Sequence, residues 1–173
     1  YSLGNNHSCR NFNFGGYTPY FPFDKRAVTY CTELLSTDKK TLKSILLKTS
    51  VYYKRFRIRK RSGGYRNISS PETSLLSIQR TIYKNIVSQA EIHPAATGFR
   101  FQKSRKDNAA PHLKNDYILK TDIMDFFGSI REHTVAKSFE KLGYPANVAK
   151  VLAHLCCLKK RLPQGAATSP ALS

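Results

Sequence analysis

Apolar positions along the chain switch between helical and strand periods, and the switches mark out its elements. Leu42, Ile45 and Leu46 recur at helical spacing behind Ser36-Thr37-Asp38, whose side chains suit a helix cap. From Tyr52 to Ile68 the period drops to two: Phe56 and Ile58 alternate with Arg55, Arg57 and Arg59, which predicts a half-buried strand. Ser62-Gly63-Gly64 supplies a turn, and Tyr65–Ile68 returns as the second strand of a hairpin. Ser70-Pro71-Glu72 then opens a helix with Leu75, Gln79, Ile82 and Ile86 on one face, widened by Leu76, Ile78 and Tyr83. Residues 91–115, with Pro94, Gly98 and Pro111, read as irregular. Tyr117–Ile123 reads as a strand that runs into a Phe126-Phe127-Gly128 corner. Val135, Phe139 and Leu142 predict a helix ending at Gly143. Pro145 starts another, with Val148, Val151, Leu152 and Leu155 facing inward. Residues 1–35, rich in Asn, Gly, Pro and aromatics, predict an irregular arm, and Thr168-Ser169-Pro170 predicts a final helix start. The succession helix, hairpin, helix, strand, helix, helix points to an α+β fold.

Composition adds one strong constraint. The 173 residues carry 29 Lys+Arg against 11 Asp+Glu, a formal charge of +18. Such an excess repels itself in a compact state and is most simply explained by a polyanionic partner, nucleic acid first and an anionic membrane surface second. No apolar run approaches the roughly 18–20 residues of a membrane-spanning helix, and no signal-peptide pattern opens the chain. Tyr1 in place of Met points to a processed or incomplete N-terminus. Cys9, Cys31, Cys156 and Cys157 show neither a CxxC pair nor metal-ligand spacing, so they read as small hydrophobes in a reducing cytoplasm.

Candidate chemistry gathers at four strings. Lys54, Arg55, Arg57, Arg59, Lys60, Arg61 and Arg66 crowd the hairpin with no acid among them, which favours phosphate binding over a solvated strand face. Asp122, in Thr121–Ile130, sits where a strand should end beside an aromatic corner; it suits a cation site, or equally a turn or helix cap. Asn108-Ala109-Ala110-Pro111-His112 reads as a turn-containing loop with a structural histidine. In Leu162–Ser173, Pro163-Gln164-Gly165 places an amide beside a residue without Cβ, where a ligand can approach backbone closely. Lys159, Lys160 and Arg161 precede it.

These strings together resemble the reverse transcriptases of bacteria. KRSGGYR is similar to the fingers hairpin, TDIMDFFGSI to the first catalytic motif, and LPQGAATSP to the template-and-nucleotide loop, with Ala167 in place of a common proline. Asn108-Ala109-Ala110-Pro111-His112, with Thr97-Gly98-Phe99 and Ser104 upstream, resembles the NAxxH signature of the retron branch. The resemblance covers roughly residues 40–173. It implies that Lys60 and Arg66 hold the triphosphate of an incoming deoxynucleotide, a task suited to a mobile ammonium and a forked guanidinium. It implies that Asp122 ligates Mg²⁺ with the Ile123 carbonyl as a second oxygen donor, in a site of two ions completed by downstream carboxylates. Asp125 is then a peripheral acid. Phe127 takes the steric-gate position against a ribose 2′-OH or, failing that, is a core aromatic as Phe126 is expected to be. Gln164 and Gly165 lie beside the nascent base pair. Arg55, Arg57, Arg59, Arg61, Asn108, His112, Lys159, Lys160 and Arg161 are expected to contact RNA.

By the same resemblance, residues 36–116 form a fingers subdomain and 117–173 the start of a palm, ending before a Tyr-x-Asp-Asp hairpin. The implied activity is RNA-directed DNA synthesis on a structured noncoding RNA that serves as template and primer, giving an RNA–DNA hybrid, in the bacterial cytoplasm and in anti-phage defence. That setting leaves room for a toxin or effector protein. The 173 residues alone are expected to be inactive, because they hold only one of three expected carboxylates. A group II intron-type or other defence-associated reverse transcriptase, and a noncatalytic RNA-binding module, are the alternatives.

Overall fold

The computed structural model describes residues 21–61, 63–99 and 102–173. Its architecture is α+β: one two-stranded antiparallel hairpin set against helices. Helices α1 (Lys25–Leu34) and α2 (Lys39–Leu47) lead into β1 (Tyr53–Arg59) and β2 (Tyr65–Pro71), followed by α3 (Thr73–Asn85), α4 (Arg105–Ala109), α5 (Phe126–Ser129), α6 (Glu132–Lys141) and α7 (Ala146–Cys156).

The expected irregular arm gives way to α1 over Lys25–Leu34, while residues 1–20 lie outside the described residues. The helix forms because Asp24 caps it, accepting from the Arg26 amide at 3.1 Å, and because Ala27, Val28, Cys31 and Leu35 share a buried face. Asp38 caps α2 in the same way, accepting from the Thr41 amide at 2.8 Å. Both carboxyls are held below the usual carboxylate range, Asp24 by the Asn147 side-chain amide and then the Arg26 amide, Asp38 by Thr41.

Helix α7 is the axis of the core. Val148, Ala149, Val151, Leu152, Ala153, Leu155 and Cys156 are all buried, and α1, α2, α3 and α6 pack around them. Leu75, Ile78 and Ile82 of α3 and Val135 and Phe139 of α6 supply the facing layers. Gln79 of α3, also fully buried, donates to the Tyr53 hydroxyl and to the Leu155 carbonyl, each at 2.9 Å. It thereby ties β1 to α3 and α7. His154 does similar work at the rim: Nδ1 lies 3.0 Å from Glu132 of α6, and Nε2 lies 3.0 Å from the Thr49 hydroxyl beyond α2.

Three expectations from pattern and capping residues fail. The first is the half-buried hairpin: only Tyr53 and Pro71 at its base are buried, while Phe56 is 48% and Ile58 50% exposed. Period-two alternation reports which residues share a face; here that face projects beyond the core. The second is the strand at Tyr117–Ile123, which has no regular structure, with Tyr117 93% and Leu119 89% exposed. A strand exists only by pairing, and among the described residues nothing pairs with this stretch. The third is the helix start at Thr168, where a turn forms instead. The Ser169 hydroxyl donates to the Pro163 carbonyl at 2.7 Å and so does not cap. The predicted irregular span 91–115 also contains the short helix α4, set by a capping box between Ser104 and Asp107 that holds the Asp107 carboxyl low.

Candidate nucleotide and nucleic-acid interface

The hairpin sorts its cations by strand parity. In the register Phe56↔Ile68, Ile58↔Arg66 and Arg59↔Tyr65, Arg55, Arg57 and Arg59 share one face and Arg66 lies on the other with Phe56, Ile58 and Ile68. Arg57 stacks over the Tyr65 ring at 5.4 Å. Lys60 closes the turn through its backbone, its amide donating to the Gly64 carbonyl and its carbonyl accepting from Gly63. The side chains of Lys60, Arg61 and Arg66 are exposed, and the hairpin's one ion pair among the described residues is Lys54 with Glu72 at 4.0 Å.

The loop after α7 comes directly onto this hairpin. The Ser69 amide donates to the Gln164 carbonyl at 2.8 Å. Gly165, at φ +113°, lies so close that a Cβ would meet Ile68 Cγ2 at 2.8 Å and the Ser69 carbonyl at 3.0 Å. The close approach that a residue without Cβ permits is made here by the protein's own strand. Arg66 shares a strand face with Ile68, the side chain that Gly165 approaches, and lies two residues before it on β2.

Between α7 and that loop the chain makes a two-residue turn. Leu158 and Arg161 exchange backbone hydrogen bonds of 2.8 and 3.1 Å, and Lys159 and Lys160 both adopt left-handed backbone, φ +50° and +61°. This is a type I′ geometry, ordinarily filled by Asn and Gly. The turn is pinned by the Glu132 amide on the Lys160 carbonyl at 2.9 Å and the Leu162 amide on the Ile130 carbonyl at 3.1 Å. The Arg161 guanidinium donates to the carbonyl of Gly128. Of the three cations expected at a template, Arg161 is therefore engaged within the protein, while the Lys159 and Lys160 side chains project freely among the described residues.

Gly128 belongs to the corner that follows Asp122. Asp125 stands in left-handed backbone at φ +49°, its carboxylate packed so closely on Gly128 that a Cβ there would require the Asp125 side chain to move. Phe127 is half-buried and packs on the core, with Phe126 5.5 Å away. Phe126 itself is exposed, which reverses the expected order of burial for the two rings, since the α5 turn directs Phe127 inward.

Asp122 and Ile123 lie in the unpaired stretch and are exposed. The Asp122 carboxylate forms no ion pair or hydrogen bond among the described residues, nor does the Ile123 carbonyl accept one. Together they offer two uncommitted hard-oxygen groups, a carboxylate and a carbonyl, the donor type that suits Mg²⁺. Among the described residues no three His, Cys, Asp or Glu side chains cluster to hold a metal, so the set is incomplete. Asn108 in α4 and His112 in the following 3₁₀ turn are exposed and share no hydrogen bond with Gln164, Gly165 or Arg66 among the described residues. Residues unseen in the sequence reading are Ser69 and Ile68, which receive the loop, and Gly128, which receives Arg161. The glycine of Pro-Gln-Gly was the available signal for the first pair; nothing in a Lys-Lys dipeptide announces a left-handed turn.

Cys31, Cys156 and Cys157 are buried and free, and burial pushes their thiols up, Cys31 and Cys156 to about 12. They are core residues, as their spacing suggested. No helix among the described residues is long and apolar enough to cross a membrane.

Comparison with known proteins agrees with the motifs. The family model described as reverse transcriptase (RNA-dependent DNA polymerase) matches residues 58–173. Among curated relatives, the retron Ec86 reverse transcriptase of Escherichia coli is 37% identical over 108 residues, covering 62% of this chain and 34% of that protein. The retron Mx65 reverse transcriptase of Myxococcus xanthus is 36% identical over 139 residues, 70% of this chain and 33% of that protein. The retron Mx162 reverse transcriptase of the same organism is 31% identical over 143 residues, covering 72% of this chain and 30% of that protein. The chain thus spans about a third of the length of these relatives. With two thirds of its length matched by the family model and the three relatives above described as retron reverse transcriptases, the chain belongs to the reverse transcriptase family.

Proposed function

We propose that the full-length protein is a retron-type RNA-directed DNA polymerase, and that these residues form its fingers (36–116) and the start of its palm (117–173). The observation that carries the reading is the seating of Gln164 and Gly165 on Ile68 and Ser69, one step along the strand face from Arg66. Two strings far apart in sequence meet where a nucleotide would need both a phosphate-binding guanidinium and a surface beside its base.

In this reading Arg66 and Lys60 bind the triphosphate of a deoxynucleotide through charge-assisted hydrogen bonds. Phe127, packed partly against the core, disfavours a 2′-hydroxyl. Gln164 and Gly165 orient the templating pair. Arg55, Arg57, Arg59, Arg61, Lys159 and Lys160, with Asn108 and His112, bind the backbone of a structured RNA and of the RNA–DNA hybrid. Asp122 and the Ile123 carbonyl would hold Mg²⁺ together with carboxylates outside these residues; when bound, the two ions supply charge stabilisation at the attacking and leaving oxygens. The retron resemblance supports a noncoding RNA as template and primer, a role in anti-phage defence in the cytoplasm, and an effector protein as a further partner.

Primer extension by the full-length protein tests the assignment, with Asp122→Asn as the comparison. Wild-type synthesis and a loss of at least a hundredfold in the variant are expected; equal synthesis would remove Asp122 from the metal site. A second reading, for residues 1–173 taken alone, is a noncatalytic RNA-binding module, supported by the formal charge of +18 and the exposed cations of the hairpin. That module should bind RNA with steep salt dependence and extend no primer. Magnesium-dependent extension by this stretch would overturn that reading.

A further inference from the structure

We propose that the outward face of α3, which includes none of the hairpin cations and no residue of the Asp122 corner, is a second binding site for an RNA backbone. The inference rests on the protein having an RNA partner, and it names a surface that the polymerase motifs do not include.

Helix α3 divides sharply into two faces. Leu75, Ile78, Gln79 and Ile82 are buried against the core. On the other side Thr73, Ser77, Arg80, Thr81 and Lys84 recur at helical spacing, and α3 contains no acidic residue. These side chains, with Leu76, Asn85 and Ser36 from the junction of α1 and α2, line an open cleft of about 540 Å³.

The donors in this cleft are uncommitted. Among the described residues Arg80 and Lys84 form no ion pair, and the side chains of Ser36, Thr73, Ser77 and Asn85 make no hydrogen bond. Thr81 alone is engaged, donating to the Ser77 carbonyl at 3.1 Å. Ser36 reaches the cleft from left-handed backbone at φ +49°, a conformation few residues other than glycine adopt. A helix C-terminus that could have ended on glycine presents a hydroxyl instead.

A cleft of this chemistry has a definable partner. Small-molecule sites are mostly apolar and enclosed. This one is open, its lining about as polar as apolar, with hydroxyls, an amide and two cations beside Leu76, and none of the lining residues is a carboxylate. Arg80 and Lys84 stand one helical turn apart, about 6 Å along the axis, so they can engage separate phosphates of one strand. Ser36, Thr73, Ser77 and Asn85 can pair with phosphate oxygens and with 2′-hydroxyls, the group that separates RNA from DNA.

The test compares two charge-matched double variants of the full-length protein: Arg80→Gln with Lys84→Gln, and Lys40→Gln with Lys141→Gln, both pairs being solvent-exposed. Affinity for a structured RNA hairpin is measured across a salt series, alongside nucleotide incorporation on a short annealed primer–template. The α3 pair should weaken RNA binding roughly tenfold and lower the salt slope by about 1.5, while the comparison pair changes both much less. Incorporation on the short duplex should be unchanged in both. Equal losses in the two pairs would overturn the site in favour of general charge attraction, and unchanged RNA affinity in the α3 pair would leave the cleft to another occupant. If the wild type fails to bind RNA, the RNA reading falls and takes this site with it; if it binds RNA but does not polymerise, the affinity comparison still decides.

Discussion

The guanidinium of Arg161 donates to the carbonyl oxygen of Gly128, a bond that ties the loop after α7 to the corner carrying Phe127. A cation that sequence reasoning would spend on the template is spent on the protein. If Phe127 discriminates against ribonucleotides, Arg161→Ala should relax that discrimination on the order of tenfold, the scale expected from losing a charged hydrogen bond. The ratio of kcat/KM for a deoxynucleotide over its ribonucleotide measures it, with Phe127→Ala as reference. A ratio that falls in Phe127→Ala but holds in Arg161→Ala would show that the corner keeps its place without the bond.

Gly165→Ala should be costly for two separate reasons. The backbone stands at φ +113°, and the new methyl would meet Ile68 and the Ser69 carbonyl. Roughly 1–3 kcal/mol of strain is expected, released by withdrawing the loop from β2. Gly63→Ala, at φ +88° with nothing within 4 Å, isolates the conformational part. Thermal melts should rank Gly165→Ala well below Gly63→Ala. Hydrogen exchange at the Ser69 amide should accelerate only in the former.

Gln79→Leu removes two buried hydrogen bonds at once and leaves the Tyr53 hydroxyl and the Leu155 carbonyl without a partner. The cost should be about 2–4 kcal/mol. Adding Tyr53→Phe should recover part of it, because one of the two orphaned groups disappears. A double-mutant cycle by urea denaturation reads the coupling; simple additivity would mean that the Tyr53 hydroxyl finds water.

Stability should fall on the alkaline side. Burial raises the thiols of Cys31 and Cys156 from an ordinary value of 9.0 to about 12, and it raises Cys157 and Tyr53 as well. Groups whose folded pKa lies above the unfolded one contribute stability that is complete below the unfolded value. That contribution is lost as pH rises from about 9 toward 12. Urea midpoints at pH 8 and pH 10.5 should differ in that direction, and thiol reagents at pH 8 should label these cysteines only on unfolding. Rapid labelling of Cys31, Cys156 or Cys157 in the native protein, read by mapping the labelled peptides, would contradict their burial.

Legibility in the sequence followed the physics of each signal. Helices α2, α3, α6 and α7 were readable because their large apolar residues repeat every three or four positions and are buried on that face. Helix α1 was missed because Ala27, Val28 and Cys31 are small and sit among aromatics that suggest loop. The strand at Tyr117 was over-read: composition reports an appetite for pairing, whereas a strand needs a neighbour. At the candidate site the residue types were legible and their partners were not. Arg161 gave no sign that it would choose Gly128, and Gly165 none that it would meet Ile68.

The stretch from Tyr117 to Met124 has a practical consequence. Tyr117, Ile118, Leu119, Ile123 and Met124 all face solvent on backbone that pairs with nothing among the described residues. Extended, apolar and uncovered chain is what seeds intermolecular β-association. A preparation of these 173 residues is expected to self-associate as its concentration rises, so its RNA binding is best measured dilute; Lys120 and Asp122 are the only charges in that stretch to act as gatekeepers.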